Sequence, residues 1–61
     1  MPYVNVKVAG KLTRDQKEQI AGDICESLAR VAGKKSADTY VIFEEVEREN
    51  WAVGEKLLDR S

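Results

Sequence analysis

The residue best placed for chemistry is Pro2, which follows Met1 and leads directly into an alternating apolar segment. Methionine before a small second residue is normally excised, and its loss would convert the proline nitrogen from an amide into a secondary amine. An unperturbed terminal amine titrates near ~8, and burial among apolar groups beside cations lowers that pKa. A free Pro2 amine could then serve as a general base, although a proline in second position is by itself better explained as a rigid start to the following strand.

The sequence lacks the residues that other common catalytic sites require. The sequence contains no histidine, which excludes Ser–His and Cys–His pairs. Its single cysteine, Cys25, excludes an internal disulfide, and a small buried hydrophobe is the favoured interpretation. Glu44 and Glu45 are neighbours on a predicted strand, so their side chains face opposite sides and cannot form an acid–base pair. We expect neither a metal site nor a cofactor.

The composition of the chain limits the kinds of partner that it could bind. The 61 residues include 10 basic and 11 acidic side chains for a net charge of −1, which gives no basic footprint for nucleic acid or anionic membrane. No apolar run approaches the roughly 18 residues of a membrane span, and no secretory signal is recognisable. Together with the lone cysteine, these features favour a single cytoplasmic domain, residues 1–61.

Two segments have the pattern of strands. Tyr3–Ala9 alternates, with three valines on one face, and predicts a strand that begins next to Pro2. Thr39–Val46 contains the continuous apolar run 41–43, which predicts a strand covered on both faces. Because a crossover of nearly thirty residues separates the two, parallel pairing is expected.

The crossover has the pattern of a helix. Thr13 and Gln16 fit a capping box, and Gly33 fits a left-handed C-terminal cap, which predicts a helix from about Arg14 to Ala32. Its apolar stripe consists of Ile20, Ile24, Leu28 and Val31.

The remaining C-terminal segment is short. We expect a charged loop over Glu47–Asn50, a small hairpin arm at Trp51–Gly54, and a polar tail over Lys56–Ser61 anchored by Leu57 and Leu58. The predicted fold is α/β (α+β), a single βαβ unit with a two-stranded parallel sheet and a short C-terminal hairpin arm. One helix covers only one face of such a sheet, and a domain of this size is marginal alone, so oligomerisation must complete the fold.

Four segments in this order resemble the 4-oxalocrotonate tautomerase family across essentially the whole chain: Met-Pro-Tyr-Val-Asn-Val-Lys-Val, Gly-Lys-Leu-Thr-Arg-Asp-Gln-Lys, Val-Ile-Phe-Glu-Glu-Val and Glu-Asn-Trp-Ala-Val-Gly. The resemblance implies βαβ subunits that pair through their sheets into dimers, three of which typically form a hexamer. It also implies an amino-terminal proline, here Pro2, that shuttles a proton between an enol and a conjugated ketone. The aromatic residue of the C-terminal arm, here Trp51, would form an apolar wall over that proline.

The sequence departs from the family pattern at the positions of the family's two substrate-binding arginines. The first matches Leu12, or Lys11 if one residue is inserted, and the second matches Tyr40. Lys11 offers a point charge without the bidentate fork of arginine, and Tyr40 offers one hydrogen bond. Arg14 and Arg48 are candidate replacements near the expected pocket rim, although arginines usually lie on the solvated surface.

A second departure lies in the hairpin arm, where the family's Gly-Gly is Gly54-Glu55. These changes argue against the dicarboxylate dienol substrate of the archetype, and less against tautomerase chemistry. Two alternatives stay open: a non-catalytic or partner-dependent subunit of a mixed hexamer, and a dehalogenase or decarboxylase of the same fold.

Overall fold

The computed structural model describes residues 1–59. Within this range the elements are β1 (Tyr3–Ala9), α1 (Arg14–Ala32), a 3₁₀ turn (Ser36–Asp38), β2 (Tyr40–Val46), a second 3₁₀ turn (Arg48–Asn50), β3 (Ala52–Val53) and β4 (Lys56–Leu57). β1 and β2 form a parallel two-stranded sheet, and β3 and β4 form an antiparallel hairpin. The predicted βαβ unit with a hairpin arm is confirmed.

The register of the parallel pair gives the sheet two distinct faces. Val4 lies opposite Val41 and Val6 opposite Phe43, and all four are half-buried. The alternate positions form the other face, which we call the outer face: Tyr3, Asn5 and Lys7 of β1, and Tyr40, Ile42 and Glu44 of β2. All six of these residues are exposed.

Local sequence sets both ends of α1. Thr13 accepts a hydrogen bond from Gln16 N–H at 3.1 Å, and the Gln16 side chain accepts one from Thr13 N–H at 2.9 Å, which completes the predicted capping box. Gly33 ends the helix at φ 68°, where a residue without a Cβ carries no steric penalty. Ile20, Ile24 and Leu28 are half-buried, as expected of a stripe facing the sheet.

Several predicted details are wrong. β2 begins at Tyr40 rather than Thr39, which ends the preceding 3₁₀ turn. The supposed loop 47–50 contains a 3₁₀ turn, and Lys56–Leu57 is a hairpin strand rather than tail. Val31 is 73% exposed, so it does not belong to the packed stripe. Arg60 and Ser61 of the predicted tail lie outside the described residues.

Residues 1–59 do not close a core by themselves. Across residues 1–59 none is fully buried, and the outer face leaves Tyr3 60%, Tyr40 56% and Ile42 46% exposed. This agrees with the expectation that one helix leaves the second face of the sheet bare, and cover on both faces of the 41–43 run stays a prediction for the oligomer. No helix within 1–59 is long and apolar enough to cross a membrane.

Candidate active site

Pro2 lies at the amino end of the parallel sheet and is half-buried. Its carbonyl accepts a hydrogen bond from Tyr40 N–H at 2.9 Å, which fixes its backbone to the first residue of β2. Met1 lies outside β1 and is 89% exposed. Pro2 and Tyr40, predicted from separate segments of sequence, are thus brought together by the register of the sheet.

Lys11 lies at the opposite, carboxyl end of the sheet, in the loop between β1 and α1. The residue before it, Gly10, adopts φ 93° and donates a hydrogen bond to Val46 O at 2.9 Å. The residue after it, Leu12, donates from its N–H to Glu45 Oε2 at 2.8 Å. Lys11 is therefore an exposed side chain on a backbone that is fixed at both of its neighbours.

Arg48 approaches the same loop from the 3₁₀ turn after β2. Its guanidinium packs against Gly10, since a Cβ built there would lie 3.7 Å from both Nε and Nη2. Arg14 differs from Arg48, because it pairs with Glu18 at 3.8 Å along the exposed surface of α1. Lys11 and Arg48 thus flank Gly10, while the charge of Arg14 is already partnered.

Trp51 lines a groove of about 360 Å³ together with Lys7, Val46, Asn50 and Ala52. The tryptophan is half-buried, and its carbonyl accepts a hydrogen bond from Leu58 N–H at 2.9 Å, which ties it to the residue after β4. Because Val46 ends β2, the groove reaches the same end of the sheet as Lys11 and Arg48.

Glu45 is a residue of this end that sequence reasoning did not assign to the site. One oxygen, Oε2, accepts from Leu12 N–H at 2.8 Å and pairs with Lys17 Nζ of α1 at 3.3 Å. The hydrogen bond from Leu12, followed by that from Lys17, holds the pKa of the Glu45 carboxyl below its ordinary value, against a smaller opposing effect of desolvation. Its contacts lie about thirty residues away along the sequence, so local pattern gave no signal for them.

Within one chain the predicted site residues form two groups. Pro2 and Tyr40 stand at the amino end of the sheet, whereas Lys11, Arg48 and Trp51 cluster toward the other end. A strand of seven residues is about 23 Å long, so Pro2 cannot contact the second group in its own chain. Among residues 1–59 no cluster of three or more His, Cys, Asp or Glu side chains is arranged to hold a metal ion.

The sequence of this chain is similar to those of known proteins. A family model described as Tautomerase enzyme matches residues 2–60. A probable tautomerase K2 of Dickeya dadantii is 38% identical over 55 residues, covering 88% of this chain and 82% of the relative.

The fold of this chain is also similar to solved structures of other proteins. A structure of YwhB, described as a homologue of 4-oxalocrotonate tautomerase, superposes with a TM-score of 0.88 at 28% identity, covering 98% of each chain. DmpI from Helicobacter pylori superposes with a TM-score of 0.86 at 26% identity, covering 95% of this chain and 91% of its own.

Proposed function

The chain belongs to the tautomerase family, and from this premise we propose that it is an isomerase that moves a proton between the enol and keto forms of a small enolisable keto acid. Pro2 is the general base after Met1 is removed. The placement of Pro2 carries the proposal: its carbonyl is anchored to Tyr40 N–H at 2.9 Å, while the residue before it is 89% exposed. Loss of Met1 would leave a secondary amine held at a fixed place on the sheet.

The proton transfer needs only this amine. The neutral Pro2 nitrogen takes the hydroxyl proton of the enol, and the electron pair of that O–H bond becomes the new C=O bond. The electrons of the C=C bond take the proton from the prolinium onto carbon, which restores the free amine and yields the ketone. The amine ends the reaction in its original protonation state, and no oxidant or cofactor is required.

The second group of residues complements that step. Lys11 and Arg48 would bind the substrate carboxylate, and Trp51 would exclude water from the groove beside them. Exclusion of water strengthens each electrostatic contact with the developing enolate. Tyr40, next to Pro2, would donate one hydrogen bond to the substrate oxygen. Arg14 is the weaker candidate because Glu18 already pairs with it.

These roles require more than one copy of the chain. Since about 23 Å of strand separates Pro2 from Lys11, a complete site would take its base from one subunit and its cations from another. The exposed aromatic and aliphatic side chains of the outer face supply a reason for self-association. We propose a homo-oligomer, a dimer or a trimer of dimers.

One observation favours a second possibility. Neither sequence position matched to the family arginines carries one, because they hold Leu12 and Tyr40. In the alternative, this chain is a partner-dependent subunit, and a related subunit supplies arginines in a mixed assembly. A heterohexameric 4-oxalocrotonate tautomerase from Chloroflexus aurantiacus has the same fold, with a TM-score of 0.87 at 20% identity.

Intact mass and turnover of phenylenolpyruvate or 2-hydroxymuconate test the proposal. We expect the mass to lack Met1 and the purified chain alone to catalyse ketonisation. Pro2→Ala should lower kcat/KM by at least about 100-fold, the usual contribution of a general base. Lys34→Ala, in the exposed segment after α1, is the matched control.

The alternatives give different results. A processed chain that is inert alone and active only after addition of a second family member would support the partner-dependent subunit. Turnover that survives Pro2→Ala, or survives acylation of the terminal nitrogen, would exclude Pro2 as the base.

A further inference from the structure

We infer that Glu45 is a positioning residue that holds the loop 10–12 so that Lys11 presents its ammonium to a substrate carboxylate. This inference rests on the proposed function, from which Lys11 takes its role. Glu45 would not touch the substrate. It would act through the backbone N–H of Leu12, the residue that follows Lys11.

The loop has two tethers with Lys11 between them. Gly10 N–H is bound to Val46 O at 2.9 Å, and Leu12 N–H is bound to Glu45 Oε2 at 2.8 Å. The first is a backbone bond that any residue at position 46 would supply. The second depends on the side chain at position 45 and is therefore the tether that substitution can remove.

The negative charge of Glu45 is paired with Lys17 of α1. Lys17 Nζ lies 3.3 Å from the same Oε2, and both side chains are about one-third exposed or less, at 34% for Lys17 and 29% for Glu45. Because Lys17 pairs with the carboxylate, Glu45 can hold the loop without sequestering the Lys11 ammonium. A charge-assisted hydrogen bond of this kind is stronger than one between neutral groups.

The arrangement also reaches the helix. Leu12 precedes Thr13, whose side chain caps α1 through Gln16 N–H. The Glu45 carboxylate thus bridges β2, the loop and α1 at the place where the chain turns from the sheet into the helix. A neutral or shorter side chain at position 45 would leave the Leu12 N–H with a weaker acceptor or none.

Binding of 3-phenylpropionate tests this inference, because the probe carries a carboxylate and an apolar ring but no enolisable ketone. We expect Glu45→Ala and Lys11→Ala each to raise Kd by about tenfold, the scale of one charge-assisted contact. Glu45→Gln keeps an acceptor but loses the charge, and should raise Kd by about threefold. Glu26→Gln, at the exposed ion pair with Arg30, is the control and should leave Kd unchanged.

Coupling separates positioning from general structural damage. In a Lys11→Ala background, Glu45→Ala should raise Kd no further, since residues acting through one contact are not additive. Hydrogen exchange at the Leu12 amide should accelerate in both Glu45 variants and stay at the wild-type rate in Glu26→Gln and Lys11→Ala.

Each other result contradicts the inference. A full effect of Glu45→Ala in the Lys11→Ala background means that Glu45 acts by another route. Wild-type exchange at Leu12 and wild-type affinity in Glu45→Gln, whose shape is conserved, mean that the tether is unimportant, even if Glu45→Ala fails to fold. A wild-type protein that does not bind the probe removes the role of Lys11.

Failure of the proposed function would look different. Binding and exchange involve no proton transfer, so a chain that shows the Glu45–Lys11 coupling but catalyses no ketonisation would contradict the isomerase alone. Conversely, turnover that depends on Pro2 without coupling between Glu45 and Lys11 would contradict this inference alone.

Discussion

At the residue scale, the three candidate cations differ in how far their charge is already partnered. Arg14 pairs with Glu18 on a helix surface where the two side chains are 85% and 74% exposed. Among the ion pairs described within 1–59, neither Lys11 nor Arg48 takes part. Both flank Gly10, so they are better placed than Arg14 to attract a carboxylate.

This difference predicts unequal effects on catalysis. Lys11→Ala and Arg48→Ala should each raise KM by about tenfold and leave kcat within about twofold, because binding of a carboxylate remote from the reacting atoms is common to the ground and transition states. Arg14→Ala should leave both parameters unchanged. Steady-state kinetics on phenylenolpyruvate measure the comparison, and a larger KM effect for Arg14→Ala than for Arg48→Ala would reverse our ranking.

The lowered pKa of Glu45 predicts that the folded state loses stability at acid pH. Its pKa is lowered in the folded state by Leu12 N–H and Lys17, with a smaller contribution from Lys11, so the folded chain binds the proton less readily than the unfolded chain. The stabilisation is therefore fully present above the ordinary pKa of 4.5 and is lost as pH falls from there through the lowered folded value.

Thermal unfolding midpoints measured across this acid range should fall more steeply for the wild type than for Glu45→Gln. The Glu26→Gln control, at an exposed ion pair, should follow the wild type. Parallel curves for the wild type and Glu45→Gln would show that Glu45 does not titrate differently in the two states.

At the element scale, the hairpin arm tolerates the replacement of a second glycine by Glu55. β3 and β4 are joined by Gly54-Glu55, and only Gly54 adopts a positive φ, at 65°. This is the requirement of a type II′ turn, which needs glycine at its first central position alone. The departure from Gly-Gly therefore does not prevent the hairpin that ties down Trp51.

Substitution of these two turn residues should give contrasting results. Gly54→Ala places a Cβ in the left-handed region and should cost about 1–2 kcal/mol of unfolding free energy. Glu55→Ala should cost little, because its φ is not positive and its side chain is exposed. Denaturant unfolding measures both, and equal losses would show that the turn does not depend on Gly54.

At the scale of the whole molecule, residues 1–59 of a single chain leave one face of the sheet uncovered. Tyr3, Tyr40 and Ile42 project from the outer face at 60%, 56% and 46% exposure, and no residue within 1–59 is fully buried. A domain of this size gains stability when such a surface is covered by another copy. In the proposed homo-oligomer, Pro2 of one subunit would lie near the cations of another.

A charge on the outer face should prevent this association. Ile42→Glu would bury a carboxylate in the proposed interface, so sedimentation velocity should show a smaller species and the unfolding midpoint should fall. Lys34→Glu, which changes an exposed side chain after α1, should keep the wild-type assembly. An unchanged sedimentation coefficient for Ile42→Glu would place the interface elsewhere.

The sequence by itself determined β1 and α1, with their ends, and the parallel pairing of the two longer strands. Alternation in 3–9 specified β1, the Thr13–Gln16 box and Gly33 specified α1, and the long crossover specified parallel pairing. These features are predictable because each depends on side-chain periodicity or on bonds between residues a few positions apart. The family resemblance, carried by four ordered segments, belongs to the same local information.

Only the tertiary structure decided how the candidate residues are distributed. It placed Pro2 beside Tyr40 and far from Lys11 and Trp51, because strand register and length fix which residues share an end of the sheet. It also joined Glu45 to Leu12, a contact across 33 residues of sequence. Such contacts depend on how β2 and α1 meet in space, and no local pattern encodes that meeting.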